Sequence, residues 1–182
     1  MRFTQSLGLL AAGCASVASP AAAQDKAASA VAVREMVRVC VDTAAAPDAV
    51  RALATAEGWQ PTDPLAVPAK NRIVIRGKKK GEDRVYERSS AWTYSKGGAD
   101  LTVGLFDHPD LPEPLRKQCE IIAWDLDPAG VDAAILADSR FVAEPSMPGL
   151  PVKDYALRDS RLRINYISSD AGSKQIHVFK IN

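Results

Sequence analysis

The chain is poor in the residues that usually announce a chemistry. Of its 182 residues two are histidine, His108 and His177, and three are cysteine. Zinc centres usually draw on several His or Cys ligands, so the donors for one are too few. There is no Cys-x-x-Cys pair, no Gly-x-Ser-x-Gly elbow and no Gly-x4-Gly-Lys-Ser/Thr loop. Those absences remove dithiol redox chemistry, the α/β-hydrolase nucleophile and the P-loop as starting points. No cofactor is implied. Net charge is also scarce, with 23 basic residues against 22 acidic ones. Nucleic-acid binding needs a basic footprint, and a general anionic-membrane binder needs one too. Neither is expected. No apolar run reaches the length of a membrane span.

What is present begins with an address. Arg2 makes a short positive start, and Leu7 to Ala18 is apolar, small and uncharged. Ser19-Pro20 interrupts a helix arriving from that run, and Ala21-Ala22-Ala23 places small residues before Gln24-Asp25. This is the three-part pattern of a cleavable secretory leader. It predicts a signal peptide over 1–23 and one domain over 24–182, exported to the periplasm. Arg2 is the leader's only charge, so the remaining domain is formally neutral. A competing pattern, Leu10-Ala11-Ala12-Gly13-Cys14, resembles a lipobox, which would anchor the protein to a membrane through Cys14. Two cysteines follow the leader, Cys40 and Cys119. In an oxidising compartment an isolated pair most simply forms a disulfide.

The rest of the chain predicts an α+β fold. Residues 26–41 carry Ala30, Val33, Val37, Cys40 and Val41 at helical spacing, which predicts a first helix. Pro47-Asp48 opens a second, Val50, Leu53 and Ala54 form its stripe, and Gly58 is placed as its left-handed cap. Trp59 can then fold back onto that stripe. Pro61, Pro64 and Pro68 predict a loop. The middle is β, with runs at 72–76, 85–95, 101–106 and 119–124. Gly77-Lys78-Lys79-Lys80-Gly81 makes one turn and Gly97-Gly98 another. Asp127-Pro128 starts a further helix. Residues 141–151 read as irregular, and 161–168 with 175–181 form a C-terminal β-hairpin. The expected architecture is an N-terminal helix pair packed on a meandering antiparallel sheet, with a further helix and that hairpin.

Three groups of residues are candidates for function. Trp92 and Tyr94 share one strand parity and so one face. Exposed, they form a recognition patch; buried, they are core, covered by Leu101, Val103 and Leu105. Lys78, Lys79 and Lys80 could meet an anionic partner, or simply keep a hairpin tip solvated. Asp107-His108-Pro109-Asp110 puts one imidazole between two carboxylates, the raw material of an acid-base or metal site, or of a polar loop. His177 lies in a β-run and reads as a strand side chain.

Cys40-Val41-Asp42-Thr43, Pro47-Asp48, Gly58-Trp59, Trp92-Thr93-Tyr94, Leu101-Thr102-Val103 and Cys119 together resemble a group of small uncharacterised exported proteins of Gram-negative bacteria. The resemblance covers about two thirds of the domain. It implies a periplasmic address and the disulfide, and it implies no activity. The expected function is a non-enzymatic periplasmic accessory or binding protein, whose partner is another periplasmic or envelope protein. The alternatives are an envelope hydrolase using His108 with a nearby carboxylate, and a structural lipoprotein anchored through Cys14.

Overall fold

The computed structural model of the chain describes residues 20–65, 73–75, 83–111, 116–124, 126–145, 152–168 and 173–180. The fold is α+β. Helix α1 spans Pro20–Met36 and runs into a wider π-helical turn, Val37–Val41. The π turn is closed by Asp42 N donating to Val37 O at 2.8 Å, and it buries Val39, Cys40 and Val41 in succession. Ala44 and Ala45 then sit at φ 55° and 52°, a left-handed conformation unusual for residues with a Cβ. Ala45 N bonds back to Cys40 O at 2.7 Å.

Helix α2, Pro47–Ala56, ends as its glycine predicts. Gly58 has φ +68°, Gly58 N bonds Thr55 O and Trp59 N bonds Ala54 O. These are the two bonds of a Schellman cap. They turn Trp59 back into the core, where it is buried. Helix α3, Pro128–Ala137, is capped by the Asp127 carboxylate, which accepts from Ala129 N at 3.2 Å and Gly130 N at 2.9 Å.

The described residues form ten strands in chain order: β1 Gln60–Thr62, β2 Ile73–Ile75, β3 Arg84–Tyr86, β4 Ser90–Lys96, β5 Ala99–Asp107, β6 Lys117–Trp124, β7 Phe141–Glu144, β8 Val152–Leu157, β9 Leu162–Ser168 and β10 Ser173–Lys180. Strands β2 and β3 form a separate hairpin. The other eight form one antiparallel sheet in the order β1-β4-β5-β6-β10-β9-β8-β7. Gly97 and Gly98, at φ 56° and 80°, make the tight β4–β5 turn. After β6 the chain crosses through α3 to the far edge and returns strand by strand, so the last strand, β10, inserts between β6 and β9. Both outer strands are short, and β1 carries Pro61, which blunts the sheet edges against unwanted pairing.

Strands β1 and β7 lie where the proline-rich stretches predict only loop, and β8 lies in a segment for which the sequence predicts no element. Pro61 is tolerated because β1 is an edge, and β7 is too short to show alternation in sequence. The expected run at 85–95 is broken in two by residues 87–89.

The two faces of the sheet differ. Leu101, Val103 and Leu105 of β5, Cys119, Ile121 and Ala123 of β6, and Ile164 and Tyr166 of β9 share one parity and join the helical residues in the main core. Cys40 in the π turn is disulfide-bonded to Cys119 on β6, with Cα atoms 5.5 Å apart. Both cysteines are 0% exposed. The staple therefore ties the end of the first helix to the centre of the sheet. Among the described residues, no helix is long and apolar enough to cross a membrane.

Candidate functional site

The aromatic strand face lies where α1, the π turn, α2 and β4 meet. Trp92 and Tyr94 lie on the helix side of β4, opposite Val103 and Leu101. Both are half-buried and pack against the main core. Trp59 stacks on Tyr94 with centroids 4.4 Å apart and planes 6° from parallel. The Arg38 guanidinium stands over the indole, 5.9 Å from the ring centroid.

A carboxylate organises this corner. Glu35 is only 4% exposed. It accepts from Arg38 Nη2 at 2.5 Å, from the Tyr94 hydroxyl at 2.9 Å and pairs with Lys96 Nζ at 3.1 Å. Burial works to raise its pKa, but these hydrogen bonds and the Arg38 charge outweigh burial and hold it below the ordinary glutamate range. Arg38 also reaches Glu57 at 2.5 Å, and Glu57 accepts from Trp59 Nε1 at 3.1 Å. Burial and the Glu35 contact together push the Tyr94 phenol far up. The hydroxyl therefore stays protonated as a donor. The result is an aromatic-ionic rim with an exposed lysine, Lys96, at its border.

In the second candidate each polar side chain has a partner of its own. His108 is half-buried at the end of β5, and its Nε2 lies 2.6 Å from the Glu87 carbonyl oxygen. In the neutral ring this contact places the proton on Nε2. Asp107 accepts from Arg51 Nη2 at 2.9 Å, joining α2 to β5. Asp110 accepts from the Tyr86 hydroxyl at 3.0 Å, and Tyr86 packs edge-on to His108 at 5.3 Å. The three polar residues thus tie the end of β5 to α2 and to the segment at 86–87. Among the described residues, no group of three His, Cys, Asp or Glu gathers closely enough to hold a metal ion. Lys78, Lys79 and Lys80 lie outside the described residues, and the described strands that flank them are β2 and β3. For His177 the backbone pairs with Glu120 and with Asn165.

The sheet face away from the main core holds a feature that sequence reading missed. Glu120 of β6 is 0% exposed and is ion-paired with Arg88, itself buried. A Cβ added to Gly104, its partner on β5, would collide with the Glu120 carboxyl. The glycine is therefore what lets the carboxylate lie across the strand. Arg88 Cζ stands 5.9 Å from the Phe106 ring centroid. The one sequence signal for this site is a charge, Glu120, inside an otherwise apolar strand beside Cys119, Ile121 and Ile122.

Compared with protein families, with curated proteins and with solved structures, the chain finds no match.

Proposed function

We propose that the chain is an exported, non-enzymatic binding or accessory protein of the bacterial periplasm, released from the leader over residues 1–23. The observation that carries this reading is the Cys40–Cys119 disulfide closed inside the core. Such a staple persists in an oxidising compartment. It agrees with the leader pattern ahead of it. The side chains best suited to acid-base work favour a binding role, because their contacts are architectural. His108 holds a backbone carbonyl, Asp107 an arginine and Asp110 a tyrosine. The recognition element in this reading is the rim of Trp92, Tyr94 and Lys96, with the Lys78–Lys80 turn as an anionic contact. The partner is a periplasmic or envelope protein, since aromatic side chains and arginine are enriched where interfaces are anchored, and Arg38 stands over Trp59 beside Tyr94.

The test begins with the full chain expressed in a Gram-negative host. Intact mass of the envelope fraction, with and without reduction and alkylation, should show a start at Gln24 and thiols that react only after reduction. A photo-crosslinking residue is then placed at Pro61, which lies opposite Trp92 on the same sheet face, or at Lys96, both exposed, and at Leu65 as a control, which is 63% exposed. One discrete adduct from Pro61 and Lys96, absent from Leu65, is expected. Free thiols in native material, or the same adducts from all three positions, would overturn the reading.

A further inference from the structure

We propose that Arg88 and Glu120 form a positioning pin, which fixes the chain where it passes from the β2–β3 hairpin into the main sheet. The pin sets conformation rather than adding net stability. Arg88 lies in the short connection 87–89 between β3 and β4. Its Nε donates to Glu120 Oε1 across the outer face of β5 and β6. The side chains are 3% and 0% exposed, so both charges are out of water.

Taking two ions out of water is costly and their attraction roughly offsets that cost, so an apolar pair of similar volume serves stability as well or better. What an apolar pair lacks is direction. A guanidinium binds along fixed N–H vectors, and here it meets a carboxylate held flat by Gly104 and a ring, Phe106, beneath it. That geometry admits one placement of residue 88. The neighbouring residues are placed with it. Ser89 N bonds Leu105 O at 2.7 Å, Ser89 Oγ bonds the same oxygen at 3.1 Å, and the Glu87 carbonyl meets His108 Nε2. Strand pairing of β4 with β5 begins at the next residue, Ser90 opposite Leu105. The pin therefore also sets where the β2–β3 hairpin joins the main sheet.

The experiment uses the full chain with Arg88→Met/Glu120→Leu, Arg88→Met alone and Arg88→Lys. Thermal midpoints are read beside native-state exchange of the Ser89, Val103 and Ile121 amides. In the double variant the midpoint should equal or exceed that of the wild type. Ser89 should exchange at least tenfold faster, with Val103 and Ile121 unchanged. Arg88→Met alone should lower the midpoint, because it removes the guanidinium that faces the buried carboxylate. Arg88→Lys keeps the charge without the planar fork and should show the same loss of Ser89 protection. Wild-type Ser89 protection in the double or the lysine variant would overturn the pin. A double variant that fails to fold, or melts as low as Arg88→Met, would make the pair a net stabiliser and overturn the proposal as well.

Discussion

Removing the staple tests how the two halves of the fold are held together. Cys40→Ala/Cys119→Ala opens a loop of 79 residues. The chain-entropy treatment gives such a loop about 4.5 kcal/mol at 25 °C. Both sulfurs are fully buried, so their loss adds about 1 kcal/mol in transfer and cavity terms. The expected total, about 5–6 kcal/mol, equals the whole stability of many domains. The double variant should therefore be partly unfolded at 37 °C, and its guanidinium midpoint should fall well below that of the oxidised wild type. Its m-value should rise, because an uncrosslinked denatured chain exposes more surface. Circular dichroism over a guanidinium series, on wild type, double variant and wild type reduced while unfolded, reads all three. Because neither sulfur reaches solvent, a dithiol reductant should cleave the native bond only as fast as the core opens. A loss under about 1 kcal/mol, or rapid reduction of the folded protein, would refute the reasoning.

Other outcomes follow from particular atoms. Among the described residues the buried Tyr166 hydroxyl has no hydrogen-bond partner, and burial pushes its pKa up to about 12. Tyr166→Phe should therefore be neutral or stabilise by up to about 1–2 kcal/mol, and a loss of more than ~1 kcal/mol in chemical denaturation would show a missed partner. Ala44 is exposed and left-handed at φ 55°. Ala44→Gly relieves a conformation costing about 1–2 kcal/mol against about 0.4–1 kcal/mol of added unfolded-state entropy, so the midpoint should rise slightly; a fall would contradict the backbone assignment. Glu35 is depressed in the folded state, so its contribution is complete above the ordinary glutamate pKa of about 4.3 and is lost as pH falls through the lower folded value. Glu35→Gln should cost about 1–3 kcal/mol at pH 7 and flatten the stability profile below pH about 4.3. A profile parallel to the wild type would exclude the carboxylate as the organiser of that corner.

Local rules written in single residues carried much of this molecule. Gly58 and Asp127 mark helix ends because each satisfies orphan backbone groups within a few residues of itself. Gly97-Gly98 marks a hairpin because a tight turn needs φ above zero. Leu101, Val103 and Leu105 name the buried face of β5 because strand side chains alternate. The cysteine pair was legible from the leader pattern and the even count left after it. The rest depends on contacts between residues far apart in the chain. Strand β10 pairs with β6 across the whole crossover through α3, and no pattern inside either strand specifies that neighbour. Trp92 and Tyr94 share a face by parity, but only packing decided that Tyr94 would lie under Trp59 and bond Glu35. His108 and its two aspartates are adjacent in sequence, yet the backbone turn at 107–111 sends each to a different partner. Glu120 reads as an isolated charge until the fold brings Arg88 and Gly104 against it. Covalent geometry and capping act over a few residues, so the sequence shows them directly. Desolvation and ion pairing depend on what arrives from elsewhere, so the tertiary structure alone decides them.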